Sequence, residues 1–300
     1  MRVLVVYKKS AYQLYVLERR DPHLVRLLRR RHPEARDVRQ AHAVHQATLE
    51  TVVKSLTQLH VAYDLVYRAN LRTAARYDLV VSVGGDGTFL QASHVVDDTP
   101  MLGVNSDPQR SEAVFCAATK SNLARVLRQA LAGQLAEQRL YRLRIRLNGR
   151  SLLPLALNDV LIAHDDPATL SRYRLKIAAH QEDHKSSGLW VATAAGSSSA
   201  ILAAGGRRLR WTAKQFQYRP RELYQGRLSR ARLTGGVLSM RETIEVTWLM
   251  REGAAFIDGP HVRHPLRFGD RLVVGLSPNH PLRVLGLQHT RLETRVGQRP

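Results

Sequence analysis

Short apolar runs alternate with longer amphipathic stretches through the first half of the chain. The runs are rich in Val and Leu and lack period-2 alternation, which predicts buried strands of a parallel sheet; they cover residues 2–7, 61–67, 78–83 and 100–105. Apolar residues at helical spacing predict helices over residues 13–36, with a break at Pro33, and over 40–59, 89–96 and 121–132. This alternation predicts a parallel, doubly wound α/β layer.

The pattern changes period at about residue 140. Residues 141–147 alternate strictly between apolar and polar, and Asn148-Gly149 is a hairpin signal. A short helix is predicted near 198–204, and further strand-like runs cover residues 152–157, 172–178, 188–192, 242–249, 254–257 and 271–276. The sequence therefore predicts an α/β N-terminal domain with a parallel, doubly wound sheet and an all-β, sandwich-like C-terminal domain. We assign the first domain to residues 1–136 and the second to 137–277, and we expect 278–300 to pack back on the first.

A glycine-rich loop, Gly84-Gly85-Asp86-Gly87-Thr88, follows the third apolar run. Its glycines let the backbone turn sharply and let a ligand approach the main chain. We expect a helix after Thr88, which would be its N-cap, and a helix N-terminus favours an anion such as phosphate. Asp86 would repel a phosphate, so its position predicts a metal-organising residue or a base for an attacking hydroxyl. A tight βα turn without chemistry is the alternative.

Two other strand ends carry polar residues. Asn105 closes the fourth run and Asp107 follows it, while Lys8 and Lys9 follow the first run. Open α/β sheets bind ligands at the carboxyl ends of their strands. We therefore interpret Asn105 as part of a ligand crevice, whereas the two lysines fit a ligand contact and a solvated loop equally well.

Two stretches of the second domain point to ligand contacts. Asn158 and Asp159 are polar residues in apolar company at the end of a strand, and alternation turns one of them inward, where it needs partners. Residues 193–200 are all Ala, Gly, Ser or Thr, and small residues permit the close approach of a flat ring or a sugar. The same stretch comes near the spacing of a hydrolase nucleophile elbow, but that motif belongs to an α/β sheet and no Asp–His pair accompanies it.

Composition narrows the classes of function. With 300 residues, 44% of them hydrophobic, the chain suits two globular domains, and no stretch reaches the roughly 20 apolar residues of a membrane helix. The first apolar run is too short for a signal peptide, and the single cysteine, Cys116, fits a reducing compartment, so we expect a cytoplasmic protein. The net charge of +21 suggests nucleic acid, but the basic residues are spread along the chain and aromatics are 6%. We expect neither nucleic acid nor a membrane as a partner.

Three pairs of histidines have metal-like spacing but lack further ligands. We interpret them as surface residues: His42 and His45, His180 and His184, and His261 and His264. Because no Cys/His cluster competes, a metal in this protein is expected to be a hard divalent ion, Mg²⁺, bound through oxygen.

The string Gly-Gly-Asp-Gly-Thr after a strand resembles the phosphate loop shared by NAD kinases, diacylglycerol-type lipid kinases and phosphofructokinases. Further strings occur in the order and approximate spacing of NAD kinase motifs, and with the loop they span about residues 80–260: Gly103-Val104-Asn105, Asn158-Asp159-Val160, 188–199 and Phe256-Ile257-Asp258-Gly259. Two more strings look closest to the mitochondrial-type branch of that family, Asn105-Ser106-Asp107-Pro108 and Lys185-Ser186-Ser187-Gly188-Leu189.

The resemblance implies a reaction and a role for each matching residue. An NAD kinase transfers the γ-phosphate of ATP, with Mg²⁺, to the adenosine 2′-hydroxyl of NAD or NADH and forms NADP or NADPH. Asp86 is then the base or the metal-organising residue, and the phosphates are lined by Gly84, Gly85, Gly87 and Thr88. The β domain contributes the NAD site, and the substrate contacts are Asn105, Asn158, Asp159, Thr193, Gly196 and Ser198.

The block that begins at Thr193 departs from the family string Thr-Pro-x-Gly-Ser-Thr-Ala-Tyr. Its Pro, Thr, Ala and Tyr are replaced by Ala194, Ser198, Ser199 and Ala200, which leaves the preference between NAD and NADH open. Two alternatives stand beside an NAD kinase. One is a lipid or other small-alcohol kinase with the same loop, and the other is a non-catalytic homologue that binds a dinucleotide or nucleic acid. In each case we expect a homodimer or a higher homo-oligomer.

Overall fold

The structure, a computed structural model, describes residues 1–226 and 231–287. The chain divides into two compact units, the first formed by Met1–Gln138 with residues 283–287, and the second by Arg139–Leu282. No helix in the described residues combines the length and the hydrophobicity that a membrane span requires.

Strands and helices alternate along the first unit. Its strands are β1 (Arg2–Tyr7), β2 (Ala62–Tyr67), β3 (Leu79–Gly84), β4 (Met101–Asn105), β5 (Ala118–Thr119) and β6 (Glu137–Leu140). Its α-helices are α1 (Pro22–Arg29), α2 (Pro33–Gln58), α3 (Asp86–Ser93) and α4 (Leu123–Leu131). A π-helical segment, Tyr12–Glu18, precedes α1, and a 3₁₀ turn, Arg68–Asn70, follows β2.

The second unit is almost entirely strand. Its strands are β7 (Leu143–Leu147), β8 (Arg150–Ala156), β9 (Asp159–Ala163), β10 (Ser171–Ile177), β11 (His180–Ser186), β12 (Leu189–Thr193), β13 (Gln215–Pro220), β14 (Gly236–Ser239), β15 (Ile244–Trp248), β16 (Ala254–Ile257), β17 (Val262–Pro265) and β18 (Arg271–Leu276). A 3₁₀ turn, Ala195–Ser198, and the short helix α5 (Ala200–Ala203) follow β12. The last described strand is β19 (Leu282–Leu285).

The first unit contains one mostly parallel sheet. Its strand order is β2-β1-β3-β4-β19-β6, with β5 beside β4, and β1 pairs in parallel with both β2 and β3. Buried Val and Leu side chains of β1, β3 and β4 pack against α2 and α4 in a single core. These strands are apolar on both faces because helices cover the sheet, and the predicted α/β class is confirmed.

The second unit contains two antiparallel sheets that face each other. Within the described residues their strand orders are β11-β10-β15-β18-β7-β8 and β14-β13-β12-β9-β16-β17. The core between them includes Leu175 and Trp248 from the first sheet and Val191 and Phe216 from the second. The predicted sandwich-like β fold is therefore confirmed.

Some predicted boundaries are wrong. The predicted break at Pro33 is confirmed, because α1 ends at Arg29 and α2 begins at Pro33, the first helical position that proline prefers. The second helix therefore begins at residue 33 and not at residue 40 as predicted. Strand β11 was missed because its sequence, His-Gln-Glu-Asp-His-Lys-Ser, is polar on both faces. The sheet tolerates this because β11 is its edge strand. The predicted segment 288–300 lies outside the described residues.

We predict that Leu175→Ala in β10 lowers the free energy of unfolding of the second unit by about 2–5 kcal/mol, because it removes a fully buried side chain from the core. The control is Arg174→Ala on the opposite face of the same strand, where the Arg174–Asp183 ion pair is exposed and screened by water, so that its loss should change stability little. Urea unfolding followed by tryptophan fluorescence measures both, since Trp190, Trp211 and Trp248 all belong to this unit. Equal losses in the two variants would contradict the assigned core.

Candidate active site

Four parallel strands end side by side on one edge of the first unit's sheet. The register pairs Tyr7 of β1 with Tyr67 of β2 and with Val83 of β3, and it pairs Gly84 of β3 with Asn105 of β4. The residues that follow each strand therefore share this edge, and they are Arg68, Lys8, Gly85–Thr88 and Ser106–Asp107. Open α/β sheets bind their ligands at such edges.

The glycine-rich loop leads directly from β3 into α3. Gly85 is the N-cap and the helix begins at Asp86. Thr88, which was predicted to be the N-cap, lies buried within the first turn instead. A Cβ on Gly84 would come within 2.3 Å of the Thr88 Oγ1 and 2.8 Å of its Cβ, which excludes any side chain at Gly84. The N–H groups of Thr88 and Phe89 donate to Gly85 O at 3.0 and 3.2 Å, and the earlier N–H groups at a helix start are the ones that favour an anion.

Asp86, the first residue of α3, has its carboxylate held by the backbone of a distant loop. Its Oδ2 accepts a hydrogen bond from Val114 N at 3.0 Å, and its Oδ1 accepts one from Phe115 N at 2.9 Å. Burial raises the pKa of Asp86, the two N–H donors oppose this shift, and the charge of Glu112 adds to it. A fixed carboxylate of raised basicity is suited to accept a proton.

Close packing fixes the loop that holds Asp86. The Phe115 ring stacks on Phe89 of α3, with centroids 5.3 Å apart, and both side chains are fully buried. The loop crosses β4 at Gly103, where a Cβ would stand 2.3 Å from Phe115 O and 3.1 Å from Cys116 Sγ. The thiol of Cys116 is buried here, and burial, together with the Asp86 charge, raises its pKa.

Asn105 shapes the turn that leaves β4. Its Oδ1 accepts a hydrogen bond from Asp107 N at 3.0 Å, and its Nδ2 donates to Ser111 O at 2.8 Å. The side chain is buried at the sheet edge. Its polar atoms therefore already bond to the 105–111 turn of its own unit.

In the second unit, Asp258 holds the turn that carries Asn158 and Asp159. Its Oδ1 accepts from Asn158 N at 2.7 Å and from Asp159 N at 3.1 Å, and its Oδ2 accepts from Leu157 N at 2.9 Å. The Asp258 backbone is left-handed, with φ of 50°, and its N–H donates to Asp159 O at 2.9 Å. Both backbone and side chain of Asp258 thus fix the start of β9.

The small-residue block lies directly against this turn. Thr193 Oγ1 donates to Leu157 O at 2.6 Å and accepts from Gly196 N at 2.9 Å. A Cβ on Gly196 would stand 2.0 Å from Asn158 O, so only glycine allows this approach. The chain therefore needs a small residue here to pack against its own backbone, whatever ligand it binds.

The Asp159 carboxyl is buried and changes its charge near neutral pH. Its Oδ2 accepts hydrogen bonds from Asn158 Nδ2 at 2.9 Å and from Ser199 Oγ at 3.1 Å. Burial and the charge of Asp258 raise the pKa of Asp159 to about 7, and the Ser199 hydrogen bond opposes them.

The predicted site residues form two groups, one in each unit. Gly84, Gly85, Asp86, Gly87, Thr88 and Asn105 lie along one sheet edge of the first unit, and the second unit holds Asn158, Asp159, Thr193, Gly196 and Ser198. The Ser198 hydroxyl makes no hydrogen bond to the described residues, whereas its neighbour Ser199 bonds to Asp159. Ser199, Asp258 and the 114–115 amides were not predicted as site residues. The only signal for them was the Phe-Ile-Asp-Gly string around Asp258, since backbone amides leave no trace in the sequence.

Two histidines that were predicted to lie on the surface are buried. His45 Nε2 donates to Lys8 O at 2.7 Å, and His184 Nε2 is 2.6 Å from Glu182 Oε1. Among the described residues, no group of three or more His, Cys, Asp or Glu is arranged to hold a metal ion.

The sequence is similar to those of proteins named as NAD or NADH kinases. The family profile described as the ATP-NAD kinase N-terminal domain matches residues 10–135. A protein of Oryza sativa subsp. japonica named "Probable NADH kinase" is 36% identical over 254 residues, which cover 77% of this chain and 78% of that protein. Proteins named "NAD kinase 2, mitochondrial" are also among the relatives, in agreement with the predicted likeness to that branch.

Two solved structures share the fold. The crystal structure of an NAD kinase from Archaeoglobus fulgidus in complex with ATP has a TM-score of 0.70 and 20% identity, over 99% of this chain and 98% of that one. Yeast NADH kinase complexed with NADH has a TM-score of 0.72 and 15% identity, over 100% of this chain and 89% of that one. At such identities the likeness is one of fold. The Oryza relative, which is 36% identical and matches more than three quarters of both chains, shows the family: this protein is a member of the NAD kinase family.

Proposed function

We propose that this protein transfers the γ-phosphate of ATP to the 2′-hydroxyl of the adenosine ribose of NAD or NADH, forming NADP or NADPH. The observation that carries the proposal is the buried Asp86 carboxylate, which the amides of Val114 and Phe115 hold at the start of α3, directly after a glycine-rich loop. Membership of the NAD kinase family supports the reaction, since the Oryza relative is named an NADH kinase and the A. fulgidus enzyme was crystallised with ATP.

Asp86 acts as the base. A carboxylate oxygen takes the proton of the 2′-hydroxyl while the hydroxyl oxygen forms its bond to the γ-phosphorus. The bond from this phosphorus to the bridging oxygen breaks, and ADP leaves with the electron pair. The two amide donors stop the carboxylate from rotating, and each of its oxygens keeps a second lone pair for the substrate. The proton acceptor is therefore oriented before the hydroxyl arrives.

The glycine-rich loop binds the donor's phosphates. The absence of side chains at Gly84, Gly85 and Gly87 lets phosphate oxygens reach the N–H groups at the start of α3. The Thr88 Oγ1 is buried and has no hydrogen-bond partner in the described residues, so its donor capacity is available to a ligand that reaches the loop.

The acceptor's adenosine binds residues of the second unit. Asn158 and Asp159 supply hydrogen-bonding groups on a turn that Asp258 fixes, and Ser198 has a half-buried hydroxyl. Thr193 and Gly196 support this turn from beneath. In the first unit, Asn105 lies at the sheet edge and shapes the turn after β4, and we assign it a substrate contact there.

Mg²⁺ binds together with ATP. The described residues contain no group of carboxylates that could hold a cation by themselves, and Mg²⁺ commonly binds through one or two carboxylates, substrate phosphates and water. If the ion needs a carboxylate of this protein, Asp86 beside the phosphate loop would be the residue that holds it through an oxygen that does not accept the proton. When bound, the ion neutralises charge on the transferred phosphate.

The remaining expectations stay predictions. They are a cytoplasmic location, a homodimer or higher homo-oligomer, and the absence of nucleic acid and membrane among the partners. Some relatives are named as mitochondrial, so the cytoplasmic prediction is tested by determining the location of the protein in the cell directly.

We predict that the purified protein forms NADP or NADPH from ATP-Mg²⁺ and that Asp86→Asn lowers turnover by roughly 10²–10⁴-fold, because the base is lost. NAD, NADH and a lipid diol are offered in parallel as acceptors. The matched control is Glu112→Gln, which removes an exposed carboxyl near Asp86 and should leave turnover close to that of the wild type. Phosphorylation of the lipid alone would favour the lipid-kinase alternative, and nucleotide binding without any product would favour a non-catalytic homologue.

We predict that Asp159→Asn makes thermal stability less dependent on pH. The pKa of Asp159 in the folded protein, about 7, lies above the ordinary carboxyl value of about 4. The folded state therefore binds this proton more tightly than the unfolded state, and the free energy of unfolding falls as the pH rises from about 4 to about 7. The melting temperature of Asp159→Asn should therefore rise relative to that of the wild type between about pH 5 and about pH 8. Asp258→Asn, which weakens the acceptor of three backbone N–H groups, should be destabilised at every pH. A constant difference between Asp159→Asn and the wild type would show that this carboxyl does not titrate in the range.

A further inference from the structure

Two cationic side chains follow neighbouring strands at the sheet edge beside the glycine-rich loop. Lys8 comes directly after β1, and Arg68 comes directly after β2. Because β1 lies between β2 and β3, Lys8 stands between Arg68 and the loop that follows β3. The carboxylate of Asp86 alone would repel phosphate here, so the loop needs positive charge close by.

Lys8 and Lys9 have different surroundings. Lys9 Nζ is bound to Glu18 at 2.8 Å and lies over the Tyr67 ring, 4.8 Å from its centroid. The Lys8 side chain makes no hydrogen bond or ion pair with the described residues. Burial and the charge of Arg68 lower its pKa, and Asp107 offsets them only in part. The ammonium of Lys8 is thus partly removed from water without a partner that compensates for it.

Arg68 lies against the glycine-rich loop. Its Nη1 is 3.8 Å from the position that a Cβ on Gly87 would occupy. The Arg68 side chain also makes no hydrogen bond or ion pair with the described residues. Two cations are therefore held near each other and near the first turn of α3, and the fold supplies neither with a bonded anion.

The backbone at Lys8 is fixed from the other side by α2. The Lys8 carbonyl accepts a hydrogen bond from Nε2 of the buried His45 at 2.7 Å. Burial lowers the pKa of His45 to about 4, so the ring is neutral and adds no charge beside Lys8. Asp107, the carboxylate whose charge raises the pKa of Lys8, is itself paired with Arg110 at 3.3 Å. The arrangement fixes the backbone at Lys8, and no anion of the described residues is bonded to its ammonium group.

We propose that Lys8 and Arg68 form a two-cation clamp for the phosphate chain of the donor nucleotide. The clamp rests on the proposed kinase function and names residues outside the family motifs as its donor-binding groups. Lysine offers a point charge and arginine a planar fork of donors, so together they can hold two phosphate groups and offset the repulsion from Asp86. Lys8 and Arg68 bind and orient the donor nucleotide, whereas Asp86 accepts the proton of the acceptor's 2′-hydroxyl.

The test compares Lys8→Ala, Arg68→Ala and the double variant with two matched controls, Lys9→Ala and Arg72→Ala; Arg72 is exposed and lies near Arg68 in sequence. Each single clamp variant should raise the KM for ATP by about tenfold and leave the KM for NADH unchanged, because one charged hydrogen bond to the donor is lost. Calorimetry should show the same weakening for ATP and for inorganic tripolyphosphate, since the clamp contacts phosphates only. The controls should match the wild type.

A merely structural role is tested by thermal unfolding. Lys8→Ala removes a desolvated cation that has no partner, so its melting temperature should equal or exceed that of the wild type while ATP binding weakens. Unchanged ATP binding in both single variants, a raised KM for NADH with the KM for ATP unchanged, or no binding of tripolyphosphate by the wild type would each overturn the clamp. If the wild type binds ATP through these residues but forms no NADP or NADPH, the proposed function fails and the clamp stands.

Discussion

The hydrogen bonds from Val114 and Phe115 to the Asp86 carboxylate are the constraint on which the first unit's site depends. A buried carboxylate without donors would be costly, and here both of its oxygens are satisfied by amides of one loop. That loop can reach Asp86 only because it crosses β4 at Gly103 and because Phe115 stacks on Phe89. Chemistry at the loop thus depends on packing behind it.

In the second unit the same kind of hydrogen bond occurs, but the carboxylate and the backbone exchange roles. In the first unit a backbone loop holds the carboxylate of Asp86, whereas in the second unit the carboxylate of Asp258 holds the backbone turn that carries Asn158 and Asp159. Both arrangements make the contact through main-chain N–H groups, which have fewer degrees of freedom than side chains. A reactive group or a binding turn is oriented at little further cost in conformational entropy.

Local patterns predicted what depends on local sequence. Strands β1, β3 and β4 could be found because helices cover both faces of the sheet, and the glycine string marked the phosphate loop. The start of α3 was misjudged because Thr88 has a capping side chain, whereas the helix begins at Asp86, whose carboxylate accepts a hydrogen bond from an amide 28 residues away. The burial of His45 likewise depends on the carbonyl of Lys8, 37 residues distant. Contacts between remote segments decided both.

The position of Cys116 makes its thiol a natural reporter of the motion of the loop that holds Asp86. The thiol is the only one in the chain, it is buried beside Gly103, and it follows directly after Phe115, whose amide holds Asp86. A thiol reagent can reach it only when this segment detaches from β4, since a buried, protonated thiol is unreactive. The rate of labelling therefore measures how often this loop opens locally beside Asp86. A ligand that closes the loop should slow the labelling, even when it leaves the melting temperature of the protein unchanged.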